Sequence, residues 1–243
     1  MSLAGKTVLM TGGGTGIGAG CAVALADAGC KVAISGRREE KLKEVADSYS
    51  GENSILYKTA DVACRDSVKE LFDWANKELG QIDILVNCAG INVVKRTMEE
   101  VAPEDWDKLM QVNATGAFNT MHAVLPQMRE RKDGLIINIS SIAGVRANLL
   151  GGVGYVASKF AMTALGTFVG QEEKDRGIRV TNVYPGEVET PILDARPNPV
   201  GAEHRARILQ PSDVASLVVS IAMLPPRAHV PDIVIKPTTQ EFF

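Results

Sequence analysis

Aromatic residues are scarce in this chain, with 6 Phe, 4 Tyr and 2 Trp among 243 residues, and histidine is scarcer still at three. His122, His204 and His229 are scattered, so neither a zinc site nor a Ser-His-Asp triad is expected; surface or packing roles are. Trp74 and Trp106 read as core or interface residues. The four cysteines, Cys21, Cys30, Cys64 and Cys88, form no CxxC pair and no dense disulfide framework, which suits a reduced cytoplasmic setting. Charge of one sign is also lacking. Against 29 acidic residues stand 26 basic ones, a formal net charge of −3, with no long basic run to mark a nucleic-acid or anionic-membrane partner. No stretch of ~20 apolar residues occurs, and the opening Met1-Ser2-Leu3-Ala4-Gly5-Lys6 has no signal-peptide core, so a soluble, unexported protein is expected.

What the chain does have is 45% hydrophobic residues and 23 glycines, arranged as short apolar runs alternating with longer amphipathic ones. That is the pattern of repeated βα units and a parallel sheet built from Val, Ile, Ala and Leu. Strands are expected over 7–10, 31–35, 54–58, 84–86, 135–139, 179–183 and 232–235, and helices over 16–28, 39–48, 65–78, 103–129, 154–175 and 211–222. The expectation is α/β, one domain over 1–243, with a doubly wound seven-stranded parallel sheet and helices on both faces. The segment 187–210 is polar, proline-punctuated and longer than an ordinary connection, and reads as a substrate lid.

The first strand runs into Thr11-Gly12-Gly13-Gly14-Thr15-Gly16-Ile17-Gly18 and then into an alanine-rich helix. Residues without Cβ at a strand-to-helix turn admit positive φ and let backbone approach a pyrophosphate at the helix N-terminus. A P-loop would end in Gly-Lys-Ser/Thr, whereas Ala19 and Gly20 follow here, which disfavours ATP or GTP hydrolysis. Further on, Tyr155 and Lys159 share one helix face a turn apart, downstream of Ser140-Ser141-Ile142-Ala143-Gly144 at the end of the fifth strand. Carbonyl reduction needs a proton donor within reach of the oxygen. Bringing a phenol of pKa ~10 near neutrality takes ~4 kcal/mol at ~1.4 kcal/mol per unit, and a nearby ammonium is the expected source. Lys159 is the obvious one.

The TGxxxGIG spacing, with these later motifs, resembles the short-chain dehydrogenase/reductase family over nearly the whole chain. The resemblance implies that Gly12, Gly14, Thr15, Gly16, Ile17 and Gly18 line the cofactor, with Gly16 and Gly18 against its phosphates. It implies that Asp61 and Val62 contact adenine, although alone Asp61 reads equally as a helix cap. Asn87-Cys88-Ala89-Gly90 looks like the family's NNAG, with Cys88 read as a packing substitute and Ala89 and Gly90 allowing close approach. By the same resemblance Tyr155 is the general acid/base, Lys159 tunes it and binds the nicotinamide ribose, and Ser141 binds the substrate oxygen while Ser140 is structural. The Ser141-to-Tyr155 spacing is one residue longer than the family's, so 148–154 is expected to carry an extra loop residue. Asn113, alone a local backbone binder, resembles the family's helix-embedded Asn that completes a tetrad. Pro185-Gly186-Glu187-Val188-Glu189-Thr190 resembles PGxVxT, implying that Pro185, Gly186, Val188 and Thr190 hold the carboxamide. The ending Lys236-Pro237-Thr238-Thr239-Gln240 looks like a subgroup ending and departs from the commoner Asp-Gly-Gly.

The second strand ends at Gly36-Arg37-Arg38, where an NAD enzyme of this fold would place an acid. Arg37 resembles the family's grip on a 2′-phosphate, and Arg38 follows it; Thr15 stands where many NADP enzymes carry a second basic residue. NADP(H) is therefore favoured, with NAD(H) open. The expected function is hydride transfer between NADP(H) and a small carbonyl or alcohol, with no metal. The alternatives are an NAD-linked alcohol dehydrogenase and a nucleotide-binding regulatory protein of the same fold. A homo-oligomer, tetramer or dimer, is expected around 103–129 and 154–175, the latter carrying the apolar face Ala157, Phe160, Ala161, Ala164, Leu165 and Phe168.

Overall fold

The computed structural model describes residues 2–241. Its strands are β1 (Thr7–Thr11), β2 (Lys31–Gly36), β3 (Leu56–Thr59), β4 (Ile84–Asn87), β5 (Gly134–Ile139), β6 (Ile178–Pro185) and β7 (Asp232–Ile235). They form one sheet in the order β3-β2-β1-β4-β5-β6-β7, every pair parallel. The helices are α1 (Gly16–Asp27), α2 (Glu39–Ser48), α3 (Arg65–Leu79), α4 (Pro103–Leu109), α5 (Gly116–Arg131), α6 (Val153–Glu173), α7 (Ala202–Arg205) and α8 (Pro211–Ala222).

The near-continuous apolar strands follow from burial on both faces. Along β1, Val8 and Met10 join Cys21, Leu25, Val214 and Val218 beneath α1 and α8, while Leu9 points the other way. There it meets a second core of Val68, Leu71, Met121, Val124 and Met162 from α3, α5 and α6. The seven expected strands and the architecture are as the alternating pattern implied. The third begins at Leu56 rather than Ser54, because Ile55 packs into the core before the ladder starts.

One expected helix is interrupted. The periodic stretch 103–129 splits into α4, a π-helical stretch Met110–Thr115 and α5, and Asn113 sits in the π segment. Such bulges re-aim side chains and concentrate at functional sites. The apolar face of α6 also divides: Leu165 packs toward the sheet, whereas Phe160, Ala164 and Phe168 are exposed.

The segment 187–210 folds back on itself. It contains a 3-10 turn, Pro191–Ala195, and α7, and its ends meet at a Val188–Leu209 bridge. Ion pairs cross it, Arg205 reaching Glu189 at 2.7 Å and Asp194 at 2.8 Å and Glu187 joining Arg196 at 3.1 Å, and a His204–Glu187 hydrogen bond at 2.6 Å adds to them. β1 lies between β2 and β4, where the strand order reverses, and the carboxyl ends open there into a crevice.

Candidate active site

The crevice is a cleft of about 760 Å³ running from the β1–α1 turn, past the ends of β4 and β5, to the 187–210 segment. At the β1–α1 turn the backbone itself is the wall. Gly12 has φ +69, and a Cβ there would lie 2.7 Å from the Ala89 nitrogen. Gly16 has φ +56, and its Cβ would lie 2.8 Å from Thr190 Cγ2. Both positions need glycine for conformation and for room. Thr11 Oγ1 accepts from the Cys88 and Ala89 amides at 3.3 Å each, pinning the ends of β1 and β4 together.

Gly12, Gly14, Thr15, Gly16 and Ile17 line the cleft, as do Arg37, Arg38, Asp61, Val62, Ala89 and Gly90. Arg38 Nη2 donates to Thr15 Oγ1 at 3.4 Å. Gly36 lines it too, and a Cβ there would meet only Leu42 Cδ2 at 3.6 Å, so packing does not demand its missing side chain. Asp61 lines the cleft but does not cap α3, whose N-cap is Cys64; its Oδ1 accepts from the Ala63 amide at 3.0 Å in the turn before the helix.

Two of the expected cofactor residues lie outside the cleft lining. Gly18 does not line the cleft; it packs against β1, where a Cβ would lie 2.1 Å from the Gly12 carbonyl oxygen, so its role is close helix–strand contact. Asn87 does not line it either. Its Nδ2 donates to Asn138 Oδ1 at 3.0 Å and its Oδ1 accepts from Thr120 at 2.6 Å, and Asn138 in turn donates to Asn182 at 3.1 Å. This buried amide ladder crosses β4, β5 and β6, and its side chains satisfy one another where water cannot.

Beyond β5, Ser141 caps a 3-10 turn, Ile142–Gly144, by accepting from the Ala143 amide at 3.1 Å, and it lines the cleft with Tyr155. Ser140 turns inward, donating to the Lys159 carbonyl at 3.3 Å beside Thr163 Oγ1. The extended 148–154 segment is a glycine turn, with Gly152 at φ +79 and Asn148 Oδ1 accepting from the Gly151 amide at 2.8 Å. It delivers Tyr155 and Lys159 on the first turns of α6.

Lys159 is 4% exposed, and its Nζ donates to the Ile139 carbonyl at 2.9 Å and lies 5.7 Å from the Tyr155 ring centre. Burial lowers its pKa to about 8, with Cys88 opposing. Asn113 Oδ1 accepts from the Ile91 amide at 2.9 Å, and its Nδ2 donates to the Ile91 carbonyl and to Ser158, whose hydroxyl donates to the Tyr155 carbonyl. Asn113 thus ties the end of β4 to α6 without itself lining the cleft. Pro185, Gly186, Val188 and Thr190 line the opposite wall.

The electrostatics differ from expectation. In this structure burial raises the Tyr155 phenol's pKa; Ser141 is the first group to counter it, Cys88 adds to it, and Arg96 lowers it. The Lys159 ammonium, itself destabilised by burial, donates to a backbone carbonyl and lies 5.7 Å from the centre of the phenol ring.

Asn92 and Arg96 line the cleft without a signal in the sequence, and Gln240 was marked only as part of the chain's ending. Gln240 Oε1 accepts from the Glu187 amide at 2.9 Å, so the Pro-Thr-Thr-Gln ending closes part of the wall. None stands at a periodic or glycine-marked position, and each reaches the site through contacts distant in sequence.

A profile described as short chain dehydrogenase matches residues 6–199. An uncharacterized oxidoreductase of Staphylococcus saprophyticus subsp. saprophyticus is 34% identical, covering 98% of this chain and 99% of its own. Among solved structures, the closed form of a serine dehydrogenase complexed with NADP+ superposes with TM-score 0.89 at 30% identity, covering 97% of this chain and 96% of that one. A 3-ketoacyl-(acyl-carrier-protein) reductase from Brucella melitensis complexed with NADH gives TM-score 0.83 at 28% identity, with 96% and 98% covered.

Proposed function

That the chain belongs to the short-chain dehydrogenase family, and so is an NAD(P)-dependent oxidoreductase acting on an alcohol/carbonyl pair, is the premise from which we propose an NADP(H)-preferring carbonyl reductase using Tyr155 as proton donor. The observation that carries the reading is that Ser141, Tyr155 and Lys159 line one stretch of the cleft at the carboxyl end of β5, with Lys159 Nζ 5.7 Å from the Tyr155 ring centre. A nicotinamide dinucleotide suits the glycine cradle, where positive φ at Gly12 and Gly16 shapes a backbone turn at the N-terminus of α1 that a pyrophosphate can meet. When bound, NADP(H) supplies or accepts the hydride.

The protein's own groups do the rest. Gly12, Gly14, Thr15, Gly16 and Ile17 cradle the pyrophosphate; Asp61 and Val62 flank adenine; Ala89 and Gly90 admit the ribose; Pro185, Gly186, Val188 and Thr190 hold the carboxamide. Ser141 orients the substrate oxygen, Tyr155 gives it a proton during reduction, Lys159 steadies the resulting phenolate and binds ribose, and Asn113 fixes the loop behind them. For cofactor choice, Gly36 leaves out the acid that would repel a 2′-phosphate, and Arg37 and Arg38 bring guanidinium groups to the cleft, Arg38 beside Thr15.

The single domain carries 187–210 as a lid over the substrate. The exposed Phe118, Phe160 and Phe168 support a homo-oligomer, dimer or tetramer. Sedimentation as a species of 26.0 kDa alone would refute it. A cytoplasmic setting suits the free cysteines Cys21, Cys30, Cys64 and Cys88; fractionation checks this. The functional test is a panel of aldehydes, ketones, oxoacyl thioesters, sugars and steroids with both reduced cofactors. Turnover with NADPH in excess of NADH is expected, and oxidation of neither cofactor by any carbonyl contradicts the reading.

A further inference from the structure

Past Tyr155, the cleft wall contains a buried cation with no counter-ion. Arg96 is 6% exposed; its Nη1 donates to the Leu150 carbonyl at 2.7 Å, its Nη2 donates to the Ala195 carbonyl, and its Nε reaches no acceptor. A guanidinium carries more N–H groups than two carbonyls satisfy. Among the described residues no carboxylate pairs with Arg96. Arg196, itself paired with Glu187, repels it, and the phenol of Tyr155 lies within electrostatic range. Burial, then Arg196, makes its charged form less favourable than usual.

The side chain is nonetheless held in place. The Val153 amide donates to the Arg96 carbonyl at 2.9 Å, Asn92 Nδ2 donates to the Gly151 carbonyl at 3.1 Å, and Gly152 lacks a Cβ where one would lie 2.4 Å from Arg96 Cβ. These contacts staple the segment after β4 to the turn that starts α6, so Arg96 and Tyr155 are positioned by the same turn. A desolvated, unpaired and prearranged cation beside a reacting group is costly unless a ligand completes it.

We propose that Arg96 receives the carboxylate of the substrate, and that the substrate is a short hydroxy acid or its oxo-acid partner whose carbinol or carbonyl oxygen faces Tyr155 and Ser141. The inference rests on the carbonyl-reductase reading and narrows its substrate class. One uncompensated guanidinium matches one carboxylate, and its nearness to Tyr155 calls for a short chain. The carboxylate takes no part in the bond changes. In oxidation the carbinol C–H leaves as hydride to NADP+, the O–H proton passes to Tyr155, and the C=O bond forms.

The test compares kcat/KM with NADP+ for lactate and β-hydroxybutyrate against their methyl esters, in the wild type, Arg96→Met and Arg96→Lys. Glycerol phosphate serves as the phosphate-bearing arm. Calorimetric titration of malonate into the NADP+-loaded protein reads binding without turnover. The wild type should prefer acid over ester by tenfold or more. Arg96→Met should reduce that ratio by about tenfold to a hundredfold, the size of a charge-assisted hydrogen bond, and weaken malonate alike; Arg96→Lys should retain part of both.

A merely structural Arg96 would lower acid and ester together and leave the ratio and malonate affinity unchanged, which overturns the proposal. Preference for the ester, or for glycerol phosphate over both acids, overturns it as well. Tyr155→Phe keeps malonate binding on this account, so loss of turnover there with malonate still bound separates the two readings. Absence of all turnover in the wild type strikes the reductase reading, while malonate still decides Arg96.

Discussion

At the end of the cleft lined by Gly12, Gly14 and Gly16 the wall is backbone, whereas at the end lined by Arg96, Arg196 and Glu187 it is long charged side chains. The first end gets its shape from positive φ at Gly12 and Gly16 and from the absence of Cβ atoms, all within one strand–turn–helix unit. The second is assembled across the chain, Arg96 reaching Leu150 and Ala195, and Glu187 reaching Gln240. A backbone cradle tolerates little side-chain change and suits an invariant ligand such as a dinucleotide. A wall of side chains suits a part that differs between relatives, the substrate.

Tyr155 stands at the seam, and its substitution should have the largest effect. Tyr155→Phe is expected to cut kcat by ~10²–10⁴-fold while cofactor affinity stays within about threefold. Steady-state kinetics with a fluorescence titration check it; retention of a tenth of the activity would remove Tyr155 from the role of proton donor.

The cradle end was legible in the sequence because its constraints are local. Glycines at 12, 16 and 18 mark the turn. Even there, two expected residues lie outside the cleft lining: Gly18 packs helix against strand and Asn87 joins the amide ladder. The break in 103–129 was illegible, because a π-helical stretch leaves the apolar periodicity nearly intact. Arg96 was illegible for a different reason. Its burial depends on loops at 150 and 195, which no local pattern brings together.

A second way to break the contrast is to add one methyl group to the cradle. Gly12→Ala places a Cβ against Ala89 and Cys88 backbone at positive φ, costing about 1–2 kcal/mol for conformation and about 2–4 kcal/mol with the overlap. Denaturant unfolding measures it. A loss below about 0.5 kcal/mol would mean that β1 and β4 separate easily.

Lys159→Met should abolish most activity yet stabilise the fold near neutral pH by about 1–3 kcal/mol, because a buried ammonium is removed. The sign follows from the pKa, which is about 8 in the fold against an ordinary 10.5. The charged form is penalised in full below about pH 8, and the penalty fades as pH rises toward 10.5. The variant's advantage should therefore shrink across that window in thermal melts; a constant advantage would contradict the burial argument.

The smallest effect is expected in the lid. Arg205→Ala removes half-exposed pairs to Glu189 and Asp194 and should cost less than about 1 kcal/mol of global stability. It should nonetheless raise KM several-fold and speed amide exchange over 190–206. Unchanged exchange there would mean that these pairs do not hold 187–210 in place.

The central claim is that the glycine end is an NADP(H) site beside a proton donor, and cofactor titration of the wild type and of Gly36→Asp/Arg37→Ala tests it most directly. Gly36 has space for the carboxylate, with only Leu42 at 3.6 Å from a new Cβ. NADPH should bind the wild type at least tenfold more tightly than NADH, as one or two charge-assisted hydrogen bonds of ~1.5–3 kcal/mol require, and the double variant should reverse the order. Equal or tighter binding of NADH to the wild type contradicts the 2′-phosphate assignment, and binding of neither cofactor contradicts the account as a whole.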